Sequence, residues 1–169
     1  MSINTVGVIG AGTMGGGIAQ SCAAAGLDVI MLDIREEAVQ RGLASIDGSL
    51  ERLVKKDKLT ATEKAATLAH IRGTTRQEDF AACDLVIEAA TENLDLKLRL
   101  LKEVEGRLKA GALLASNTSS ISITRLAAAV QAGERFIGMH FFNPVPVMAL
   151  VEVIRGLQTS DATHDAVVA

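Results

Sequence analysis

Three glycines and one acid carry the clearest chemical signal in the chain. Gly10-Ala11-Gly12-Thr13-Met14-Gly15 follows a short apolar run and opens a helical pattern, and Asp33 closes the next apolar run. In that context the first glycine permits a tight turn, the second lets backbone approach a pyrophosphate, and the third lets helix and strand pack closely. Thr13 and Met14 complete the loop, and the helix N-terminus behind it attracts phosphate charge. A merely flexible loop would carry the glycines without the strand before, the helix after and the acid at the next strand end. Asp33 is placed to accept hydrogen bonds from an adenosine ribose and to repel a 2′-phosphate, which favours NAD over NADP. Arg35 pulls the other way, and reads better as a solvated arginine at a helix start.

A second group lies towards the other end. His140 ends a predicted strand, and Glu152 falls in the next one, across a loop stiffened by Pro144 and Pro146. If the strands are neighbours, the carboxylate fixes the imidazole tautomer and leaves the other ring nitrogen to take a proton from an alcohol. A structural hydrogen bond explains one strand-end histidine equally well from spacing alone. His70 and His164 sit on helix surfaces without a carboxylate pattern. Ser116-Asn117-Thr118-Ser119-Ser120 follows a strand and precedes a helix, where Ser120 or Ser122 suits an N-cap. The remaining polar groups crowd the carboxyl ends of strands, where open parallel sheets bind their ligands.

These residues must be positioned by an α/β scaffold. Short apolar runs at Thr5–Ile9, Asp28–Leu32 and Asp84–Ile87 each precede a helical pattern, as in a parallel sheet. Met14–Ala25 is small and apolar nearly all round, with Gly26 where a left-handed cap would end the helix. Val39, Leu43, Ile46, Leu50 and Leu53 form a narrow stripe on a long helix, and Thr60-Ala61-Thr62-Glu63 restarts the chain as a capping box. A helical hairpin over about 36–70 therefore projects from the sheet. Ile71–Thr75 and Leu113–Ser116 read as strands, Leu94 to Leu108 as a helix, Thr124–Val130 as a short helix, and Arg135–Phe142 and Leu150–Ile154 as the last strands.

Composition narrows the function classes. Of 169 residues 49% are apolar and 22% charged, which disfavours disorder, collagen and coiled coil. Seventeen basic against twenty acidic side chains, net −3, provide no field for a nucleic-acid backbone. The longest apolar run, Val145–Val151, is far too short to span a bilayer, and no signal-peptide pattern opens the chain, so a cytoplasmic location is expected. Cys22 and Cys83 match neither a disulfide framework nor a metal-ligand spacing, and read as buried free thiols.

Taken together, Gly10–Gln20, Glu88–Asn93, Ser116–Ser120 and His140-Phe-Phe-Asn-Pro-Val-Pro146 resemble the L-3-hydroxyacyl-CoA dehydrogenase family, in its short 3-hydroxybutyryl-CoA type. The resemblance runs from about Val6 to the end. It implies a Rossmann-like, doubly wound, mostly parallel sheet, and a reaction that moves a hydride between L-3-hydroxyacyl-CoA and NAD. By the same resemblance His140 is the base, Glu152 its partner, and Ser119 a contact to substrate oxygen and nicotinamide. Asn143, Glu92 and Lys97 join Gly10, Gly12, Thr13, Met14, Gly15 and Asp33 around the cofactor. Ser49 and Lys56, set on one helical face by their spacing, match positions that touch coenzyme A, although Lys56 also reads as one solvated lysine in a basic run. The family carries a second, helical domain that closes over the acyl chain and forms a homodimer. Residues 1–158 are thus expected to be the NAD-binding domain, with 159–169 starting a linker or helix toward a C-terminal domain absent from this sequence. Such a fragment is expected to bind NAD and turn over poorly. A gulonate-type sugar-acid dehydrogenase and a non-catalytic NAD-binding module are the competing readings.

Overall fold

Strands buried at nearly every position, as in Thr5–Ile9 and Asp28–Leu32, must be covered on both faces. In the computed structural model, which describes residues 2–169, β1 (Thr5–Ile9) turns Val6 and Val8 to one core and Ile9 to the other. The chain continues through α1 (Thr13–Ala24), β2 (Asp28–Leu32), α2 (Glu36–Lys55), α3 (Ala61–Ala69) and β3 (Ile71–Thr74). A 3₁₀ turn at Gln77–Ala82 then leads to β4 (Leu85–Glu88), α4 (Leu94–Glu105) and β5 (Leu113–Ser116). The last elements are α5 (Ile123–Ala127), β6 (Phe136–Phe141), β7 (Val151–Ile154) and α6 (Asp161–Val168).

The seven strands form one sheet in the order β3-β2-β1-β4-β5-β6-β7. Every pairing is parallel except the last, in which β7 runs antiparallel to β6. The order reverses at β1, so the crevice between the carboxyl ends of β1 and β4 is the place where such sheets hold a ligand. One face buries Ile18, Met31, Ile46 and Leu50 beneath α1 and α2, and the other buries Phe80, Leu101, Leu126 and Phe136.

The helical hairpin is α2 and α3. Val39, Ile46 and Leu50 of the expected stripe are buried and Leu43 is half-buried, so this helix packs along the domain as it extends from the sheet. The capping box is present: Glu63 N–H donates to Thr60 Oγ1 at 3.1 Å and Thr60 N–H to Glu63 Oε2 at 2.8 Å. Lys64 ties α3 to α2 by reaching Asp47 at 2.9 Å and Glu51 at 2.7 Å.

Two expectations need adjusting. The helix predicted over Thr124–Val130 is Ile123–Ala127, capped by Ser122, because Glu105 takes the N–H groups of Gln131 and Ala132, each at 2.8 Å, and draws the chain out of the helical path. Residues 159–169, read as the start of a linker or helix, hold α6 and are tied to the domain: Thr159 Oγ1 donates to Phe136 O and Thr163 Oγ1 to Glu134 O, both at 2.8 Å, while Ala166 and Val167 pack on the core. Cys83 is buried but Cys22 only partly; burial pushes their thiols up to about 12 and about 11, so neither is a thiolate at neutral pH. Among the described residues no helix is long and apolar enough to cross a membrane, and no group of three His, Cys, Asp or Glu could hold a metal.

Candidate active site

The glycine loop joins β1 to α1. Gly10 has φ +105°, a conformation that favours glycine, and its N–H donates to Leu32 O at 2.7 Å. A Cβ on Gly15 would lie 1.9 Å from Gly10 O, so the third glycine is what lets α1 sit against the turn. At Gly12, the residue that caps α1, a Cβ would meet nothing within 4 Å, which marks open space in front of the helix N-terminus. The first turn of α1 holds no acid to oppose an anion there. Asp33 is held to this loop: its Oδ2 accepts from Ala11 N–H at 3.0 Å and its Oδ1 from Ile34 N–H at 2.8 Å. Each oxygen keeps a lone pair for a further donor.

Beside the loop, Met14, Ala89, Thr91, Glu92, Lys97 and Asn117 help line a cavity of about 210 Å³. Glu92 accepts from Thr118 Oγ1 at 2.8 Å. Beneath lies a polar network that sequence reasoning missed. Lys97 Nζ pairs with Glu88 and donates to Ser116 Oγ at 3.2 Å; Ser116 Oγ donates to Glu88 Oε2 at 3.0 Å. The other Glu88 oxygen accepts from Ala90 N–H at 2.8 Å. Lys97, which the resemblance sets on the cofactor, thus has its ammonium committed to two protein partners, with a side chain 1% exposed.

His140 and Glu152 are directly opposed residues of β6 and β7. The imidazole Nδ1 lies 2.8 Å from Glu152 Oε2, with side chains 20% and 52% exposed. An Nδ1–H donated to the carboxylate leaves the Nε2 lone pair free, the tautomer a general base needs. Ser119 shares a cavity of about 340 Å³ with His140, Glu152, Thr118 and Arg155. His70 also finds an acid, Asp28 at 2.8 Å, which its sequence context did not suggest, and His164 meets Asp165 at 3.1 Å.

Asn143 and Ser49 meet in a third cavity, a groove of about 130 Å³ between α1 and α2 closed by the Asn143–Pro146 loop. Lys56 does not line this groove. The helix ends at Lys55, and Lys56 is its capping residue, with φ −97° and ψ 11°. The cation that lines the groove with Ser49 is Arg52, one turn on, and Gln20 faces it from α1. Neither was singled out in the sequence, where Gln20 lay in a small apolar helix and Arg52 in a basic run.

Against known proteins, the family described as 3-hydroxyacyl-CoA dehydrogenase, NAD binding domain, matches residues 5–169. The chain belongs to this family. As its NAD-binding domain it is 51% identical over 164 residues to the 3-hydroxybutyryl-CoA dehydrogenase of Bradyrhizobium diazoefficiens, covering 97% of this chain and 56% of that protein. A fatty acid oxidation complex subunit alpha of Psychrobacter cryohalolentis is 49% identical, over 99% of this chain and 23% of its own length. The crystal structure of (S)-3-hydroxybutyryl-CoA dehydrogenase from Ralstonia eutropha superposes with a TM-score of 0.97 at 63% identity, over 98% of this chain and 59% of that one. The chain thus spans a little over half the length of the 3-hydroxybutyryl-CoA dehydrogenases it matches.

NAD is the cofactor of this NAD-binding domain, and the loop fits it. Space at Gly12 suits a pyrophosphate, the α1 N-terminus supplies N–H groups and partial positive charge, and the Asp33 carboxylate is fixed where ribose hydroxyls can donate to it.

Proposed function

We propose that this domain supplies the cofactor site and the acid–base pair of an enzyme that interconverts L-3-hydroxyacyl-CoA and 3-ketoacyl-CoA with NAD, on short acyl chains such as 3-hydroxybutyryl. The reading is carried by the cross-strand pair of His140 and Glu152, 2.8 Å apart and sharing a cavity with Ser119. NAD, when bound, supplies the hydride acceptor or donor. In the oxidising direction His140 Nε2 takes the proton of the C3 hydroxyl as the carbonyl forms, and Glu152 stabilises the resulting imidazolium. Ser119 donates to the substrate oxygen. Glu92, Asn143 and the glycine loop hold the dinucleotide, Lys97 fixes the floor of its cavity, and Ser49 with Lys56 contacts coenzyme A. On the same reading, residues 1–158 are the NAD-binding domain and 159–169 lead toward a helical one. The remaining length of the relatives stands for that helical domain, which covers the acyl chain and makes a homodimer in the cytoplasm.

The test is oxidation of NADH by this chain with acetoacetyl-CoA, read beside NADH binding. Slow turnover that depends on the thioester is expected. His140→Gln should lower it by roughly 10²–10⁴-fold with NADH affinity kept, and Glu152→Gln by less. An unchanged rate in the His140 variant removes it as the base. NADH binding without any thioester-dependent oxidation leaves a cofactor-binding module.

A further inference from the structure

Asn117 directly follows β5, and its backbone and side chain hold different strands. Its backbone N–H continues the parallel ladder by donating to Glu88 O of β4 at 2.9 Å. Its side-chain Oδ1 reaches the other way and accepts from Phe141 N–H of β6 at 2.8 Å. The register shows why that second bond matters. β5 pairs with β6 from Leu114 opposite Phe136 to Ser116 opposite Gly138, and there the backbone pairing on this flank stops. β6 runs on to Phe141, held on its other flank by the short strand β7 through Met139, His140 and Phe141.

The N–H that Asn117 takes belongs to the peptide joining His140 to Phe141. That peptide is planar, so holding its N–H restrains the backbone torsion on the carboxyl side of His140, and with it the direction in which the imidazole is carried. Phe142, one residue further, sets its ring 4.6 Å from the imidazole, centroid to centroid. Asn117 also lines the cavity of about 210 Å³ beside the glycine loop, so one residue touches both the cofactor side and the strand that bears His140. We infer that Asn117 is a positioning residue for His140: its amide oxygen takes over where β5 ends and keeps the imidazole in register with Glu152 beside the cofactor cavity. The inference rests on the reading of His140 as the base and adds the residue that places it.

Amide hydrogen exchange, proton spectra and steady-state rates on this chain test it. Asn117→Ala should speed exchange at Phe141 N–H by at least about tenfold and shift the His140 ring signals, which are assigned by their loss in His140→Gln. At saturating NADH it should lower kcat for acetoacetyl-CoA by about 10–100-fold with KM kept. Asn117→Ser, whose hydroxyl stops short of Phe141, should match it, so the result does not depend on one variant folding. Asn117→Asp, of equal size and still an acceptor, should keep the Phe141 protection, the ring signals and most of the rate. A merely structural role would speed exchange across the sheet and leave kcat per folded molecule unchanged. Unchanged Phe141 exchange or unchanged ring signals in the alanine and serine variants overturns the inference, as does a kcat that holds while both move. If the wild type oxidises no NADH with the thioester, the acyl-CoA reading falls, and Phe141 exchange with the ring signals still decides whether Asn117 positions His140.

Discussion

Lys97, on the first turn of α4, and Glu88, at the end of β4, form an ion pair that water does not reach: their side chains are 1% and 0% exposed. Ser116, at the end of β5, closes the triangle. The network pins α4 to two strand ends just under the cavity beside the glycine loop. Removing one partner strands the other charge in the interior, so Lys97→Met should cost about 3–5 kcal/mol in urea unfolding. Adding Glu88→Gln to it should recover a large part of that loss. Additive losses in the two single and the double variants would show that the pair is not the stabilising unit.

Two glycines three residues apart are expected to fail differently. Gly15→Ala drives a methyl into Gly10 O, so it should lower the melting temperature and abolish NADH binding together. Gly12→Ala meets no protein atom, so the fold should persist, with at most about 1 kcal/mol lost at the helix cap, while NADH affinity falls steeply. Circular dichroism melts beside NADH fluorescence titrations separate the two outcomes. Retained NADH affinity in the Gly12 variant would move the pyrophosphate elsewhere.

Asp33 is fixed by the N–H groups of Ala11 and Ile34. Its negative charge therefore meets a 2′-phosphate at a set position. Asp33→Ala should raise the ratio of NADPH to NADH affinity by at least about tenfold, chiefly by weakening NADH and removing repulsion of the phosphate. An unaltered ratio in paired titrations would take Asp33 out of the ribose site.

Acid should loosen the amino end of the sheet through Asp84. Burial raises its pKa, but the Lys109 ammonium at 2.6 Å and the N–H groups of Asn4 and Thr5 outweigh that and hold the carboxyl below its usual value. A depressed folded pKa contributes stability above the unfolded value, about 3.9, and loses it as pH falls through the lower folded value. Asp84→Asn should thus cost about 1–3 kcal/mol at pH 7 and progressively less toward pH 3. Urea midpoints across that range check it; a penalty independent of pH would point to packing instead.

The cofactor loop was legible because its signals are local. A turn, a close approach and a strand-ending acid lie within one βαβ unit, and Gly10, Gly15 and Asp33 do there what their types allow. The His140–Glu152 pair was half legible: spacing offered both residues, but only the antiparallel register of β6 and β7 shows that they face each other. Glu88 stayed hidden because an acid at the end of an apolar run looks like a strand terminator, and its partner lies on a helix whose pattern said only amphipathic. The Ser49–Lys56 spacing was half legible, since the sequence did not show that α2 stops at Lys55 and leaves Lys56 as its cap.

The antiparallel strand β7 lies at the rim of the sheet, with β6 as its single neighbour and three strands between it and β1. The His140–Glu152 pair and the glycine loop therefore rest on parts of the fold with unequal rigidity. Peeling one short rim strand away takes the carboxylate from the imidazole and leaves the nucleotide seat at the centre intact. On the proposed function, the rim is therefore the place where rate changes without cofactor affinity.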